Sequence, residues 1–557
     1  MADKPWLTSY APGVPAEIDP DRFASLPDLL RDTLERFADR PAFSNRGTML
    51  RFAEIDRLSR DFAAYLHAVL GLKRGDRVAV MLPNLLQSPI VLFGVLRAGL
   101  VVVNINPLYT ARELQYQLND SGTRTIVVLE NFAATVAAVL GETGLDNVIV
   151  TRVGDQFPSL KRLAVNFAVK YVKRLVRRVA IAGSIDYRTA LREGGRREFV
   201  EPALTGDDLA FLQYTGGTTG PAKGAMLTQR SVLSNVVQAQ VWFEPHFDVR
   251  EGAVFTALPL YHVFALTANL LAFARLGAHN VLITNPRDLT AFVAELKRYR
   301  CAFLTGVNTL FNALLNTPEF GRVDFSGLRI CLAGGMAVQR DVAERWSAIT
   351  GVPICQGYGL TEASPIVSSN PLDIGEFNGS VGVPLPSTEV SIVDDAGAAL
   401  GAGEKGEIYV RGPQVMAGYW NRPEATAEVI TADGWLRTGD IGHIDERGFI
   451  FIDDRKKDLI IVSGFNVYPN EVEDVATTHP GVLEAAAVGV GDEQSGEVVK
   501  LFVVRSDATL DAADLIEYCR QSLTGYKIPK HVAFVDELPK STVGKILRRE
   551  LRDRETP

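Results

Sequence analysis

The stretch Tyr214-Thr-Gly-Gly-Thr-Thr-Gly-Pro-Ala-Lys-Gly-Ala-Met-Leu-Thr228 constrains this chain more than any other. It follows the apolar run Leu209-Ala-Phe-Leu-Gln213, which reads as a strand, so the loop leaves the end of a buried sheet. Gly216, Gly217 and Gly220 let the backbone take positive φ and approach a ligand closely, so that successive N–H groups face inward. Thr215, Thr218 and Thr219 add hydroxyl donors and Lys223 adds a positive charge. With Tyr214 at its start, the segment forms a cradle for a polyphosphate, and the expected ligand is a nucleoside triphosphate. The Walker pattern is not met, because two residues separate Gly220 from Lys223. A flexible turn would explain two or three such residues. Gly or Thr at seven of the ten positions from Thr215 to Gly224 is more than a turn requires.

The rest of the chain must supply the sheets. Its 557 residues exceed one core, so several subdomains are expected. Helical spacing over Leu26–Phe37 and Ile55–Leu66 alternates with short β-rich runs at Arg77–Met81 and Thr125–Leu129. Ile90 to Val103 is broken by Arg97 and is shorter than a spanning helix, so it reads as a buried helix followed by the strand Leu100–Val103. The rhythm returns after the glycine-rich loop in Ala253–Leu258, Asn280–Ile283 and Leu328–Leu332. Strands apolar on both faces between helices predict two parallel, helix-covered α/β layers.

Composition removes several function classes. Hydrophobic content of 47% and charged content of 22% are those of a globular protein, and a net charge of −8 argues against nucleic acid as a partner. Four scattered cysteines and seven dispersed histidines suggest neither disulfides nor a zinc site. The N-terminus lacks a signal-peptide core, so a cytoplasmic location is expected. Leu160 to Ile181 has seven basic and no acidic residues. On a helical wheel Arg162, Lys170, Lys173, Arg174 and Arg177 oppose Phe167, Tyr171, Val172, Leu175 and Val176. That pattern suits a helix on the anionic inner face of a membrane, or a surface helix with its apolar face on the protein.

Further candidate site residues lie downstream in order. Leu258 to Leu266 reads as a strand entering a turn that carries His262. Leu332-Ala-Gly-Gly-Met336 and Gln356-Gly-Tyr-Gly-Leu-Thr-Glu362 are strand ends followed by glycines, where open α/β sheets hold ligands. Gly334, Gly335, Gly357 and Gly359 allow close backbone approach, and Tyr358 offers a ring face. Glu362 offers a hard carboxylate oxygen for Mg²⁺, with Thr215. Asp440 can accept both hydroxyl protons of a ribose, and Arg455 can donate to the sugar or a phosphate. Gly401-Ala-Gly-Glu-Lys-Gly406 matches Gly-x-Gly-x-x-Gly but precedes the strand Glu407–Val410, so it reads as a hairpin loop. The charged run Asp453–Asp458 suits a domain junction. Beyond it, the strands Glu484–Val490 and Val499–Val504 and the helix Asp511–Leu523 indicate a small α+β domain.

These motifs, in this order, resemble those of the acyl-adenylate-forming (AMP-binding) enzymes over essentially the whole chain. Within that family the chain is most similar to bacterial long-chain fatty acyl-CoA synthetases, through Leu258–Thr267, Gly306–Leu315 and Gly464–Glu471. One departure is Gln229, where the family usually has His. The resemblance implies a large domain of layered α/β subdomains over 1–453, a hinge at 454–457 with Lys457 as the hinge residue, and a small mobile α+β domain over 458–557. It implies that the loop holds phosphates, that Gly334, Gly335, Gln356, Gly357, Tyr358, Gly359 and Thr361 hold the adenine, and that His262 lines the carboxylate end of the substrate pocket. Ser463, Gly464 and Phe465 would face the pantetheine of CoA, and Lys545 would be the catalytic lysine. The implied reaction uses ATP, Mg²⁺ and CoA to convert a fatty acid to acyl-CoA through acyl-AMP. A ligase that loads a carrier protein and a membrane-associated fatty-acid trap are the alternatives. Chain-length preference is not readable, and the oligomeric state stays open, a homodimer included.

Overall fold

The computed structural model describes residues 4–215, 222–246, 248, 252–463, 465–492, 495–541 and 544–554. Gly216, Gly217, Thr218, Thr219, Gly220 and Gly464 lie outside the described residues.

Two large sheets form the body, as the alternation of apolar runs and helices predicts. The seven-stranded sheet has six parallel strands, including Arg77–Met81, Val101–Asn104, Thr125–Leu129 and Leu209–Thr215, with the antiparallel strand Lys223–Thr228 at one edge. The nine-stranded sheet has a parallel centre that includes Ala253–Thr256, Cys301–Gly306, Ile330–Ala333 and Ile354–Gly359. Pro41–Asn45 joins this second sheet, parallel to Asn280–Leu282 with Phe43 opposite Asn280. The N-terminal strands therefore cross to the far layer, which the order of motifs does not indicate.

The helix Gln87–Arg97 is buried along its whole length between these elements. Its Arg97 is tolerated because Asp56 lies 2.7 Å away and Glu201 2.5 Å away, which pairs the buried charge on both sides. A four-stranded antiparallel sheet follows, in which Glu389–Val393 pairs with Gly406–Arg411, so the 401–406 glycines are a hairpin loop as expected. Its last strand ends at Arg455, and the next strand, Ile460–Val462, already belongs to the small C-terminal sheet. Lys456, Lys457 and Asp458 form the turn between them. The α+β character of the last hundred residues follows from the strands Val482–Asp492 and Gly496–Arg505 and the helices Pro469–Thr477 and Ala512–Arg520.

Two expectations change. The strand ends at Thr256, and Leu258 to Leu266 is a turn that enters a helical segment, Val263 onward. Pro259 has no N–H for a ladder, and its carbonyl accepts from the His262 N–H, 2.9 Å away, to close the turn. Residues 160–181 are not one continuous helix. Ser159–Phe167 is α-helical, Ala168–Val172 is a wider turn, and Arg174 takes φ of 52°, which ends the helix. The apolar face is not packed on the protein: Leu160 is 85% exposed, and Leu163, Phe167, Tyr171, Val172 and Leu175 are also exposed. Lys161 ties the segment down by donating to Thr48 Oγ1, 3.0 Å away, and Lys170 pairs with Glu130 at 2.7 Å. No helix among the described residues is long and apolar enough to cross a membrane.

Candidate active site

Parallel strands of both large sheets end on one cavity of about 1300 Å³. Asn104, Thr215 and Gly359 close their strands there, while Val307 and Gly334 follow theirs immediately. Ligands bind at this edge of open α/β sheets because the strands splay and the next backbone groups are unpaired. Lys540, Ser541 and Lys545 to Glu550 form the opposite wall, so two domains share the site.

The polar wall is built from pairs that hold one another. Tyr358 donates its hydroxyl to Asp440 Oδ2 at 2.6 Å, and Arg455 Nε lies 3.2 Å from Asp440 Oδ1. Burial, then the Asp440 carboxylate, push the Tyr358 hydroxyl well above its ordinary range, so it stays a donor. Asp440 is therefore only 4% exposed and stands behind Tyr358 and Arg455 rather than in the wall. Tyr419 likewise donates to Glu362 Oε1 at 2.6 Å, and Lys223 Nζ sits 5.1 Å from the centre of the Tyr419 ring. Gly335 adopts φ of 81° at its strand end, a conformation other residues avoid. Gly359 packs so tightly that a Cβ would collide with the Pro365 carbonyl. Gln356 is spent on the fold: it accepts from the Val338 N–H at 2.9 Å and donates to the Ser380 carbonyl at 3.0 Å.

His262 and Lys545 meet where this wall gives way to apolar side chains. Burial, reinforced by the nearby Lys545 ammonium, lowers His262 to about 4, so the ring is neutral near pH 7. Its Nδ1 accepts from the Phe264 N–H at 3.4 Å, which leaves the proton on Nε2. Burial and the Arg455 charge lower Lys545 to about 8. The loop carrying it closes through Ser541 N–H to the Lys545 carbonyl at 2.7 Å, and Gly544 at φ of 83° packs on Thr309 of the large domain.

Arg548, three residues beyond Lys545 at the start of the helix Arg548–Asp553, is the anchor that sequence reasoning missed. Its Nε donates to Glu473 Oε1 at 2.9 Å, its Nη2 donates to Glu473 Oε2 at 2.7 Å, and its Nη1 lies 3.5 Å from Asp454 and 3.6 Å from Asp458. Burial nevertheless raises the Asp454 carboxyl to about 6. Tyr419 was missed as well, and a lone Tyr after Gly418 carries no pattern that could reveal it. Gln229 is buried and accepts from the Leu26 N–H at 2.8 Å, away from the cavity wall, so the departure there is structural.

The structure thus brings Tyr214, Thr215, Lys223, His262, Gly334, Gly335, Gly357, Tyr358, Gly359, Thr361, Glu362, Arg455, Lys457 and Lys545 to one cavity. Ser463 and Phe465 are not in its wall. Phe465 is 57% exposed and stacks on Tyr526 at 4.9 Å, on the small domain's hairpin Ile460–Val467. Among the described residues no cluster of three His, Cys, Asp or Glu side chains forms a metal cage. Glu362 and Thr215 give hard oxygens in the wall, which fits Mg²⁺ arriving with substrate phosphates rather than a resident ion.

The sequence profile of the AMP-binding enzyme family matches residues 30–420, and that of the AMP-binding enzyme C-terminal domain matches residues 471–545. A long-chain-fatty-acid–CoA ligase of Escherichia coli O157:H7 is 57% identical over 550 residues, which is 99% of this chain and 98% of the relative. A protein of the same name from Bacillus subtilis (strain 168) is 39% identical over 561 residues, 100% and 99% of the two chains. Among solved structures, the anthranilate CoA ligase AuaEII in complex with anthranoyl-AMP superposes with a TM-score of 0.84 at 25% identity, over 97% of this chain and 99% of that one. ATP-bound MatB from Rhodopseudomonas palustris superposes with a TM-score of 0.80 at 29% identity, over 95% and 98%.

Proposed function

Because the chain belongs to the AMP-binding enzyme family, we propose that it is a long-chain-fatty-acid–CoA ligase working through an acyl-AMP intermediate. A carboxylate oxygen of the fatty acid attacks the α-phosphorus of ATP and pyrophosphate leaves. The CoA thiol then attacks the acyl carbonyl carbon and AMP leaves. The observation that carries this reading is the meeting, in one cavity, of Lys545 from the small domain with His262 at the border between a polar and an apolar wall.

The difficulty of the first step is that two anions must be held together, and fixed positive donors in a buried site offset their repulsion. In this reading Lys545, Lys223 and Arg455 face the phosphates. Neutral His262 offers its Nε2–H to the fatty carboxylate without a counter-ion of its own. Tyr358 and the backbone of Gly334, Gly335, Gly357 and Gly359 receive the adenine, with Thr361 beside them. Gly216, Gly217, Thr218, Thr219 and Gly220 complete the phosphate cradle with Thr215 and Tyr214. The ribose takes Asp440 by displacing the Tyr358 hydroxyl, and Gln356 supports the adenine wall only through the fold. Glu362 and Thr215 would hold Mg²⁺, which would supply charge neutralisation of the phosphates.

The second step needs the other face of the small domain. Ser463 and Phe465 lie off the cavity here, which supports a rotation about Lys457 that exchanges Lys545 for a CoA-facing surface that includes Gly464. Hinge 454–457 and domains 1–453 and 458–557 are assigned on that basis. Peripheral contact with anionic lipid on the cytoplasmic side belongs to the same proposal. Its support is the exposed apolar row from Leu160 to Leu175, flanked by Lys173, Arg174 and Arg177.

The test is the product. ATP, CoA and a long-chain fatty acid should yield AMP, pyrophosphate and acyl-CoA in equal amounts. ADP with acyl phosphate would overturn the reading, and acyl-AMP without thioester would point to carrier-protein loading.

A further inference from the structure

We propose that Trp242 is the length gauge of the acyl site, and that the N-terminal segment Pro5–Tyr10 is the brace behind it. The proposal rests on the ligase reading and names the residue that decides which fatty acids that site prefers.

Away from the phosphate wall the cavity is bounded by Ala239, Trp242 and Phe243, with Phe264, Ile366 and Leu385 beside them. Ala239, Trp242 and Phe243 are the last turn of the helix Gln229–Phe243, so this wall is a helix end rather than a continuous sheet. Trp242 is 3% exposed and held in one orientation: its Nε1–H donates to the Asn370 carbonyl at 3.2 Å. Tyr10, which is not in the cavity wall, packs edge-to-face with the indole, with ring centres 5.1 Å apart and planes at 87°. Tyr10 in turn donates to the Pro384 carbonyl at 2.6 Å, one residue from the wall residue Leu385. Trp6 belongs to the same apolar cluster and presses on Gly448, where any Cβ would collide with it. The segment Pro5–Tyr10 thus packs against the indole without lining the cavity itself.

A wall of this construction differs from a core position. Truncating a core residue leaves a closed void, whereas truncating Trp242 deepens a space already open to ligand. A longer acyl chain can then bury more methylenes, each contributing roughly fourfold in affinity.

The experiment measures kcat/KM for a panel of saturated fatty acids, from short to very long chain, with wild type, Trp242→Ala, Trp242→Phe and Tyr10→Ala. The preferred length should rise in Trp242→Ala and rise less in Tyr10→Ala, with the KM for ATP unmoved. A uniform fall at every length, or an unchanged preferred length, overturns the proposal. If Trp242→Ala does not fold, Trp242→Phe decides: a smaller upward shift supports the gauge and no shift removes it. If wild type activates no fatty acid, the ligase reading fails by itself. The panel is then measured as equilibrium binding, where Trp242 variants must still move the preferred length upward or the gauge fails too.

Discussion

The two ends of the cavity are built on different principles. The polar end is assembled from many parts of the chain, with Thr215, Tyr358, Glu362 and Arg455 from the large domain and Lys545 from the small one. Several groups there are fixed by partners distant in sequence, as Asp440 fixes Tyr358 and Tyr419 fixes Glu362. The apolar end is made by one helix terminus and its packing neighbours, all within the large domain. In the proposed two-step reaction the grip on charge must also be released, and Lys545, on the small domain, is the donor that could leave. Holding a hydrocarbon requires only shape, and a fixed wall serves. Substitutions at the first end should therefore cost rate, and those at the second should change selectivity.

Breaking the anchor of the polar end has the largest expected effect. Arg548→Met leaves Glu473, Asp454 and Asp458 without their buried guanidinium, and loss of one partner from such a cluster typically costs about 3–5 kcal/mol. Thermal unfolding should show the small domain melting earlier, and adenylation should fall with it while the chain-length profile keeps its shape. A changed profile would break the distinction between the two ends.

A milder perturbation uses pH. Lys545 is depressed from 10.5 to about 8, so its ammonium is lost as pH rises through that value. The adenylation kcat/KM should then decline, approaching about tenfold per pH unit beyond it. The sign for stability is opposite: a buried ammonium is a cost to folding below pH 8 that is relieved as pH rises toward 10.5. Preferred acyl length should not move with pH. A pH profile that shifts selectivity instead of rate would place Lys545 at the wrong end.

The smallest effect is expected outside the cavity. Lys173→Gln removes one exposed cation beside the apolar row and should weaken binding to anionic vesicles by about 1 kcal/mol, roughly fivefold. Turnover of detergent-dispersed fatty acid should not change. Undiminished vesicle binding would sharpen the assignment by leaving exposed apolar residues such as Leu160 and Phe167 as the whole of the contact.

The two ends also differed in how readable they were. Gly, Thr and charged residues at strand ends have no role in a core, so Thr215, Tyr358, Glu362 and Arg455 stood out and do gather at one site. Trp242 and Tyr10 look like any core aromatic, and only the closeness of their rings reveals a wall and its brace. Arg548 carries no local signal of its role, because its partners Asp454 and Glu473 are far away in sequence. Runs such as Arg77–Met81 and Thr125–Leu129 became strands with those bounds, since local pattern and burial agree. Pro41–Asn45 joined the far sheet through pairing with Asn280–Leu282, which no local pattern encodes. The 160–181 wheel failed because it assumed continuity, whereas Arg174 turns left-handed. Pro259, by contrast, was a visible reason to end the strand before it.

The central claim is that the polar end is a grip made and released by a moving domain, and the two half-reactions of two variants test it most directly. Lys545→Ala should lose ATP–pyrophosphate exchange by on the order of 3 kcal/mol, more than a hundredfold, yet convert supplied acyl-adenylate and CoA to thioester at the wild-type rate. Lys457→Pro, whose ring fixes φ in the turn between the domains, should keep the exchange and lose thioester formation. Equal loss of both half-reactions in both variants would contradict a two-orientation grip and leave Lys545 and Lys457 with structural roles only.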